Sequence, residues 1–521
     1  MIRYIFALLL VGSLAQMKAQ SLFHEELDSL LNPALKPFYF SVASGDPHSN
    51  SVVLWTKVWR EAPETTAVEW QVATDTLMQN VVQSGTVITD SNSAYTVKVQ
   101  VFLLQPATTY FYRFKADGVY SPIGRTKTAP VMEVDHLRFA VVSCSNYEGG
   151  YFNAYRLIAQ RNDLDAVIHL GDYIYEYSRG TYGDKKAMRR HIPQSEILTL
   201  QDYRSRYAQY RLDSDLQEMH RLFPMIAIWD DHEFANNTYK DGAGNHQPDE
   251  GEWEVRKANG KKAYFEWLPI ADNPQQEIER SINYGELAEL FMLDGRIAGR
   301  SKQVDHKDVT LFSSDRTMLG ASQEQWLTSG VAASTARWKI IANQVIFSEL
   351  DFHRLSKKYA RVTDIWDGYP AERKRIMDFF YTNNLKNIVV ITGDIHTSWA
   401  FDLVQDPQNK TKYKRKKGLG VIGAEFVTPS ITSANLADRA PKGLAKMVGS
   451  LVKNSDNPHL VYTDMIHHGY MLLNLTSEKA TATWVFTPTV RKRTDKHFSP
   501  RGWSTLWGNN HLFREKKKNN D

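Results

Sequence analysis

Four short polar strings in this chain each follow directly on an apolar, β-rich run, and that arrangement restricts the fold more than any other feature. The strings are SCSN at 143–146, GDYIYE at 171–176, WDDHEFANN at 229–237 and GDIHTS at 393–398. The runs ahead of them occupy 137–142, 166–170, 225–228 and 388–391. Short runs rich in Val and Ile suit strands buried on both faces. In a parallel α/β sheet the carboxyl ends of such strands meet at one crevice, where ligands bind. Carboxylates, a thiol, phenols and imidazoles delivered to one rim are the donors of a metal site.

The first residues read as an export signal over 1–19. Arg3 supplies the charge, residues 5–14 the short apolar segment, and Ala15 or Ala19 the small residue for cleavage. A membrane anchor needs about 20 apolar residues, and Gln16 and Lys18 interrupt this run too early. The expected location is therefore periplasmic or extracellular, with no transmembrane anchor. Cys144 is the only cysteine, so no intramolecular disulfide forms. A chain of 521 residues has ample material for a core and implies more than one domain. A formal charge of +4 is too balanced to imply a specific nucleic acid partner. The basic stretches at 410–417 and 516–518 read as a solvated loop and a frayed tail.

Residues 36–130 look all-β, with aromatic and β-branched alternation broken by turn signals such as Gly45-Asp46-Pro47. The segment 104–114 resembles the corner before a late strand of a fibronectin III-like or Ig-like sandwich. Tyr110 is then either a tyrosine corner or an ordinary core tyrosine. From about 136 to 490 strands alternate with helical patterns, as in βαβ units. Helices are expected over 151–160, over a long stretch at 200–223, and over 371–381 after Pro370. The segment 178–194 reads as a long loop near the site. The basic tail from 491 onward, with Trp503 and Trp507, either lids the site or packs on the surface.

In GDYIYE the glycine permits a tight turn and Asp172 aims a carboxylate into the crevice. Tyr175, three residues on, reaches back to the same point, and a phenolate favours a hard trivalent ion. The plain alternative is a helix N-cap with packed tyrosines. In WDDHEFANN like charges crowd behind a buried strand, an arrangement that a cation relieves. Asp231 is the expected ligand, Asn236 an extra oxygen donor, and His232 a proton donor or phosphate contact. In GDIHTS the i, i+2 spacing sends Asp394 and His396 to one side of an extended backbone. Cys144 is either a thiolate ligand or a small buried hydrophobe.

The order of these motifs resembles the calcineurin-like metallophosphoesterases, whose pattern runs DxH, GDxx(D/Y), GNH, a later His and GHxH. The variants here are SCS, GDYIY, DDHE, ANQ at 342–344 and GDIH. That set of replacements is similar to the PhoD-type alkaline phosphatase D family. The likeness includes the segments at 40–58, 200–217, 316–327, 366–373, 423–433 and 457–476, and covers most of the chain after residue 19.

The resemblance implies a four-layer αββα metallophosphoesterase sandwich, α+β in class, preceded by the all-β domain. It implies hydrolysis of a small phosphate mono- or diester by a metal-activated hydroxide at an Fe3+ and Ca2+ centre. Asp172 would bridge the two metals. Cys144, Tyr175 and His396 would complete the iron side, with Asp231 and Asp394 around the second metal. Asn343 occupies the neighbourhood of the superfamily's later His. Carboxylates in place of imidazoles harden the second site toward calcium. Two other readings stand beside this one. The first is a phosphodiesterase acting on nucleic acid, teichoic-type polymer or phospholipid head groups. The second is a non-catalytic surface glycan-binding protein.

Overall fold

The structure is a computed structural model that describes residues 26–60, 65–184, 189–353, 361–454 and 457–516. The expected leader at 1–19 lies outside these. Among the described residues no helix is long and apolar enough to cross a membrane.

Two mixed sheets form the centre of the molecule. In the first, His136–Val142, Ala166–His169 and Pro224–Ala227 lie side by side and parallel. Every residue of the last two strands is buried, as expected for strands covered on both faces. Antiparallel strands His468–Thr476, Lys479–Thr487, Trp503–Leu506 and Leu512–Arg514 extend one side of this sheet. The second sheet runs in the order Arg280–Tyr284, Ala288–Met292, Trp338–Asn343, Ile388–Thr392, Val421–Val427, Ser398–Val404, Leu460–Asp464. Its four strands from Ala288–Met292 to Val421–Val427 are parallel.

Period-two alternation gives the second sheet two apolar faces. Ile340, Val389 and Phe426 enter the core shared with Phe139 and Leu473 of the first sheet. Ile341 and Val390 face outward, against Leu327 and Ile376 of helices Ala321–Ala333 and Pro370–Thr382. Helices Asn153–Ala159, Leu200–Arg211, Ser214–Leu222 and Trp253–Trp267 pack on the first sheet. The result is the four-layer αββα sandwich. The stretch 200–223, expected as one helix, is two. The Asp213 carboxylate accepts from the N–H groups of Asp215 and Leu216 and so caps a second helix at Ser214.

In the N-terminal part a small sheet built on Thr66–Ala73, Val81–Thr89 and Thr109–Ala116 packs Val68, Tyr112 and Phe114 against Val42, Leu54 and Val97. The Tyr110 hydroxyl accepts the Gln105 N–H at 2.8 Å, five residues upstream, which makes it a tyrosine corner. The opposing layer, Val42–Gly45, Val52–Lys57 and Thr96–Val101, belongs to the ten-stranded sheet itself. Val42–Gly45 joins it through parallel pairing of Ser44 with Pro224 and Gly45 with Met225. The composition shift near residue 130 gives no hint of this continuity, because backbone pairing leaves no mark on composition. At the other end, Trp503–Leu506 and Leu512–Arg514 place part of the basic tail on the sheet edge.

Candidate metal centre

The three adjacent parallel strands of the first sheet deliver SCSN, GDYIYE and WDDHEFANN to one rim, and Ile388–Thr392 of the facing sheet delivers GDIHTS. The loops interlock through their backbones. Cys144 N–H donates to Gly171 O at 3.1 Å, Ser145 N–H to Asp172 O at 2.8 Å, and Gly393 N–H to Gln344 O at 3.0 Å. Two glycines make this closeness possible. A Cβ on Gly171, which has φ +99°, would lie 2.4 Å from Asp230 Cβ, and one on Gly393 would lie 2.9 Å from the Ser143 side chain.

Donor atoms of Cys144, Asp172 and His396 lie within 4.8 Å of one another. The same holds for Asp172, Asp231 and His232, and for Asp230, Asp231 and Asp394. Asp172 thus belongs to two groups, as does Asp231. The Tyr175 hydroxyl donates to Asp172 Oδ2 at 2.8 Å and lies 3.3 Å from His396 Nε2. Ser433 Oγ is 2.6 Å from the Tyr175 hydroxyl. His396 donates from Nδ1 to Ala434 O at 3.0 Å, a contact that fixes the tautomer and leaves the Nε2 lone pair facing the cluster. Asn343 is spent elsewhere: its Oδ1 accepts from the Trp366 indole at 3.1 Å and its amide binds Val345 O. Asn236 is held by its backbone N–H, which donates to Glu176 Oε1 at 2.8 Å.

Cys144, Asp172, Asp394 and His396 all adopt left-handed backbone, with φ of 56–61°. Such conformations strain residues with a Cβ by about 1–3 kcal/mol each, and strain of this kind clusters at functional sites. Electrostatic strain accompanies it. Burial, reinforced by the Asp172 charge, pushes the Cys144 thiol and the Tyr175 phenol well above their ordinary pKa values. Burial likewise raises Asp172, Asp230 and Asp394, and lowers His396 to about 3, so that it stays neutral. The buried oxygens Asp172 Oδ1, Asp230 Oδ2 and Asp231 Oδ1 have no protein hydrogen-bond partner. A donor set that is buried, crowded and reluctant to ionise fits cations, which hold thiol and carboxyl groups deprotonated.

Several residues that complete the site escape a reading of the sequence. Arg296 is fully buried, pairs with Asp230, and reaches Asp394 at 3.0 Å, Asp364 at 3.1 Å and Asp231 at 3.7 Å. It follows strand Ala288–Met292 in the string LDGR, so it repeats the pattern of the other four motifs. Glu176 accepts from His232 Nδ1 at 2.6 Å. Burial opposes a charge on His232, but Glu176, Asp172 and Asp231 outweigh it and raise its pKa well above the usual histidine range. Glu233, the third acid of WDDHE, turns away from the rim and accepts the backbone N–H groups of Asp230 at 2.7 Å and Asp172 at 3.0 Å. Tyr182, from the 178–194 loop, places its hydroxyl 3.3 Å from His396 Nδ1.

Comparison with known proteins gives the family. The family described as PhoD-like phosphatase matches residues 139–484, and the PhoD-like phosphatase N-terminal domain matches 28–130. Alkaline phosphatase D of Bacillus subtilis (strain 168) is 37% identical over 495 residues, spanning 91% of this chain and 81% of that protein. A solved structure of PhoD superposes with a TM-score of 0.83 at 34% identity, covering 94% of each chain. The chain therefore belongs to the PhoD-like phosphatase family and is a phosphoric ester hydrolase.

Proposed function

We propose that the cluster would hold two cations, a ferric ion through Asp172, Cys144, Tyr175 and His396, and a calcium ion through Asp172, Asp231 and Asp394 with Asn236 nearby. The observation that carries this reading is the asymmetry of the donors around Asp172. Thiol, phenol and imidazole gather on one side, while the other gathers the carboxylates of Asp230, Asp231 and Asp394, with His232 beside Asp172 and Asp231. Thiolate and phenolate suit Fe3+, while an all-oxygen set suits Ca2+. Bound there, the cations would supply Lewis acidity toward the phosphoryl oxygens and toward water.

The chain's own residues then position the ester and handle the proton. His232, tied through Nδ1 to the Glu176 carboxylate, would deliver a proton from Nε2 to the departing alkoxide. Its ring stands 4.2 Å from that of Tyr175 and 5.3 Å from that of Tyr177, contacts that fix its plane. His232→Ala is expected to keep its metals and lose about 100-fold or more in turnover. Unchanged turnover removes His232 from the mechanism.

The substrate is a small phosphate mono- or diester, and the setting is outside the cytoplasm, in keeping with the leader expected at 1–19. Elemental analysis of the exported enzyme and of Cys144→Ser tests the metal assignment. About one iron in the parent and none in the variant is expected, and a fully iron-loaded variant contradicts it. Rates on mono- and bis-nitrophenyl phosphate, measured on the same preparation, decide the ester preference.

A further inference from the structure

Helix Lys442–Asn454 carries three distinct stripes. Ala445, Gly449 and Val452 are buried, and a Cβ on Gly449 would sit 3.5 Å from Met465 and Thr463. Leu444, Met447 and Leu451, at i, i+3 and i+7, are 45%, 53% and 46% exposed and form a second, solvent-facing apolar stripe. Lys442, Lys446 and Lys453 run along the remaining edge. The helix contains no acidic residue.

A second cationic segment lies beside this helix. The loop 410–419 contributes six cations and the helix three, with no acid in either, although the whole chain has a formal charge of only +4. The loop is anchored close to the helix end. The Tyr413 hydroxyl is 2.9 Å from Asp402 and 3.4 Å from Pro458 O, and Gly418 abuts His511. Arg415 and Arg514 lie near enough to Lys453 to repel its charge.

From this we infer that the exposed Leu444–Met447–Leu451 stripe, together with the cations of the helix flank and the neighbouring loop, docks the enzyme on an anionic lipid bilayer. An interfacial helix needs apolar residues to enter the headgroup region and lysines to meet lipid phosphates, and both are present here. A soluble polyanion would use the cations alone and would leave the three large apolar side chains in water. A short segment joins the helix to the rim of the metal centre. Ala434, whose carbonyl holds His396, lies eight residues before the helix, and Arg439 stands over the Tyr182 ring at 5.2 Å. The inference goes beyond ester hydrolysis and holds whichever ester is cleaved.

Co-sedimentation of the full-length holoenzyme with vesicles tests it. Phosphatidylcholine vesicles containing phosphatidylglycerol are expected to bind about 10-fold or more of the protein bound by phosphatidylcholine alone. The triple variant Leu444→Ser, Met447→Ser, Leu451→Ser is expected to lose about 10-fold of that binding. It should hydrolyse a soluble nitrophenyl ester at the parent rate, which also reports that it is folded. Lys416→Glu with Lys417→Glu, on the separate loop, is expected to weaken binding likewise. Equal binding to both vesicle types overturns the inference. So does parent-like binding by the triple variant, in which case the cations serve a polyanion and the apolar stripe is idle.

Discussion

The guanidinium of Arg296 is buried among Asp230, Asp231, Asp364 and Asp394, and the charge balance there governs what a single substitution does. Burial drives these acids toward protonation, but Arg296 lies within 3.7 Å of all four. Removing one partner of a buried ion pair leaves its counter-charges uncompensated, at about 3–5 kcal/mol. Arg296→Met is therefore expected to lower the unfolding free energy of the metal-free chain, read from urea titration, by that amount. Added calcium should recover part of the loss, because a cation bound only to the folded state stabilises it. A metal-free variant as stable as the parent contradicts this account.

Lys57 illustrates the opposite balance. Its ammonium is ringed by Phe40, Trp59, Tyr95 and Trp267 at 5.6–5.9 Å, and burial pushes its pKa down to about 7. The base is thus harder to protonate folded than unfolded. Between pH 7 and about 10.4 the unfolded chain binds more protons, so this group makes stability rise with pH across that window. The four ring faces attract the cation and reduce the effect. Lys57→Met is expected to gain most on the parent at pH 7, by about 2–4 kcal/mol, and least near pH 10. Urea midpoints of both chains across that range check the sign, and a gain that grows toward pH 10 would reverse it.

At the scale of elements, the strand-to-loop junctions carry the site. Gly171 closes the Ala166–His169 strand with φ +99°, and any Cβ there would collide with Asp230. Gly171→Ala is expected to introduce about 1–3 kcal/mol of strain and to displace Asp172 from Cys144 and His396. Metal content should fall while far-UV circular dichroism stays close to the parent. Parent-level metal would show that the junction tolerates the shift. These junctions were legible in the sequence, because a strand end, a glycine and an aspartate are consecutive in the chain. The break at Asp213 was not. The amphipathic pattern runs through it, and only the cap formed with Asp215 and Leu216 shows where one helix stops and the next starts.

At the scale of the whole molecule, the N-terminal part and the catalytic part share one sheet. Val42–Gly45 shields the edge of Pro224–Ala227. Trp55 donates to Glu266 O at 2.7 Å, with Arg211 over its ring at 4.2 Å. Removing residues 1–130 would expose that strand edge and the partners of Trp55 and Phe40, an invitation to aggregation. The truncated chain is expected to give no folded monomer on size exclusion and no ester hydrolysis. A soluble, active 131–521 fragment would show that the shared sheet is dispensable.

The sequence by itself determined the polar strings and their strands, since each motif is local and the parallel strands of each sheet deliver to one end. It also carried the family likeness, through the spacing of those strings. Only the tertiary structure decided which acids face the crevice. Asp230 meets Arg296, 66 residues away, Glu176 meets His232 across 56, and Ser433 meets Tyr175 across 258. Glu233, beside Asp231 and His232 in the chain, faces the backbone instead. The physical reason is that a charge is placed by its partners, and the partners of a buried charge are chosen by packing between elements remote in sequence.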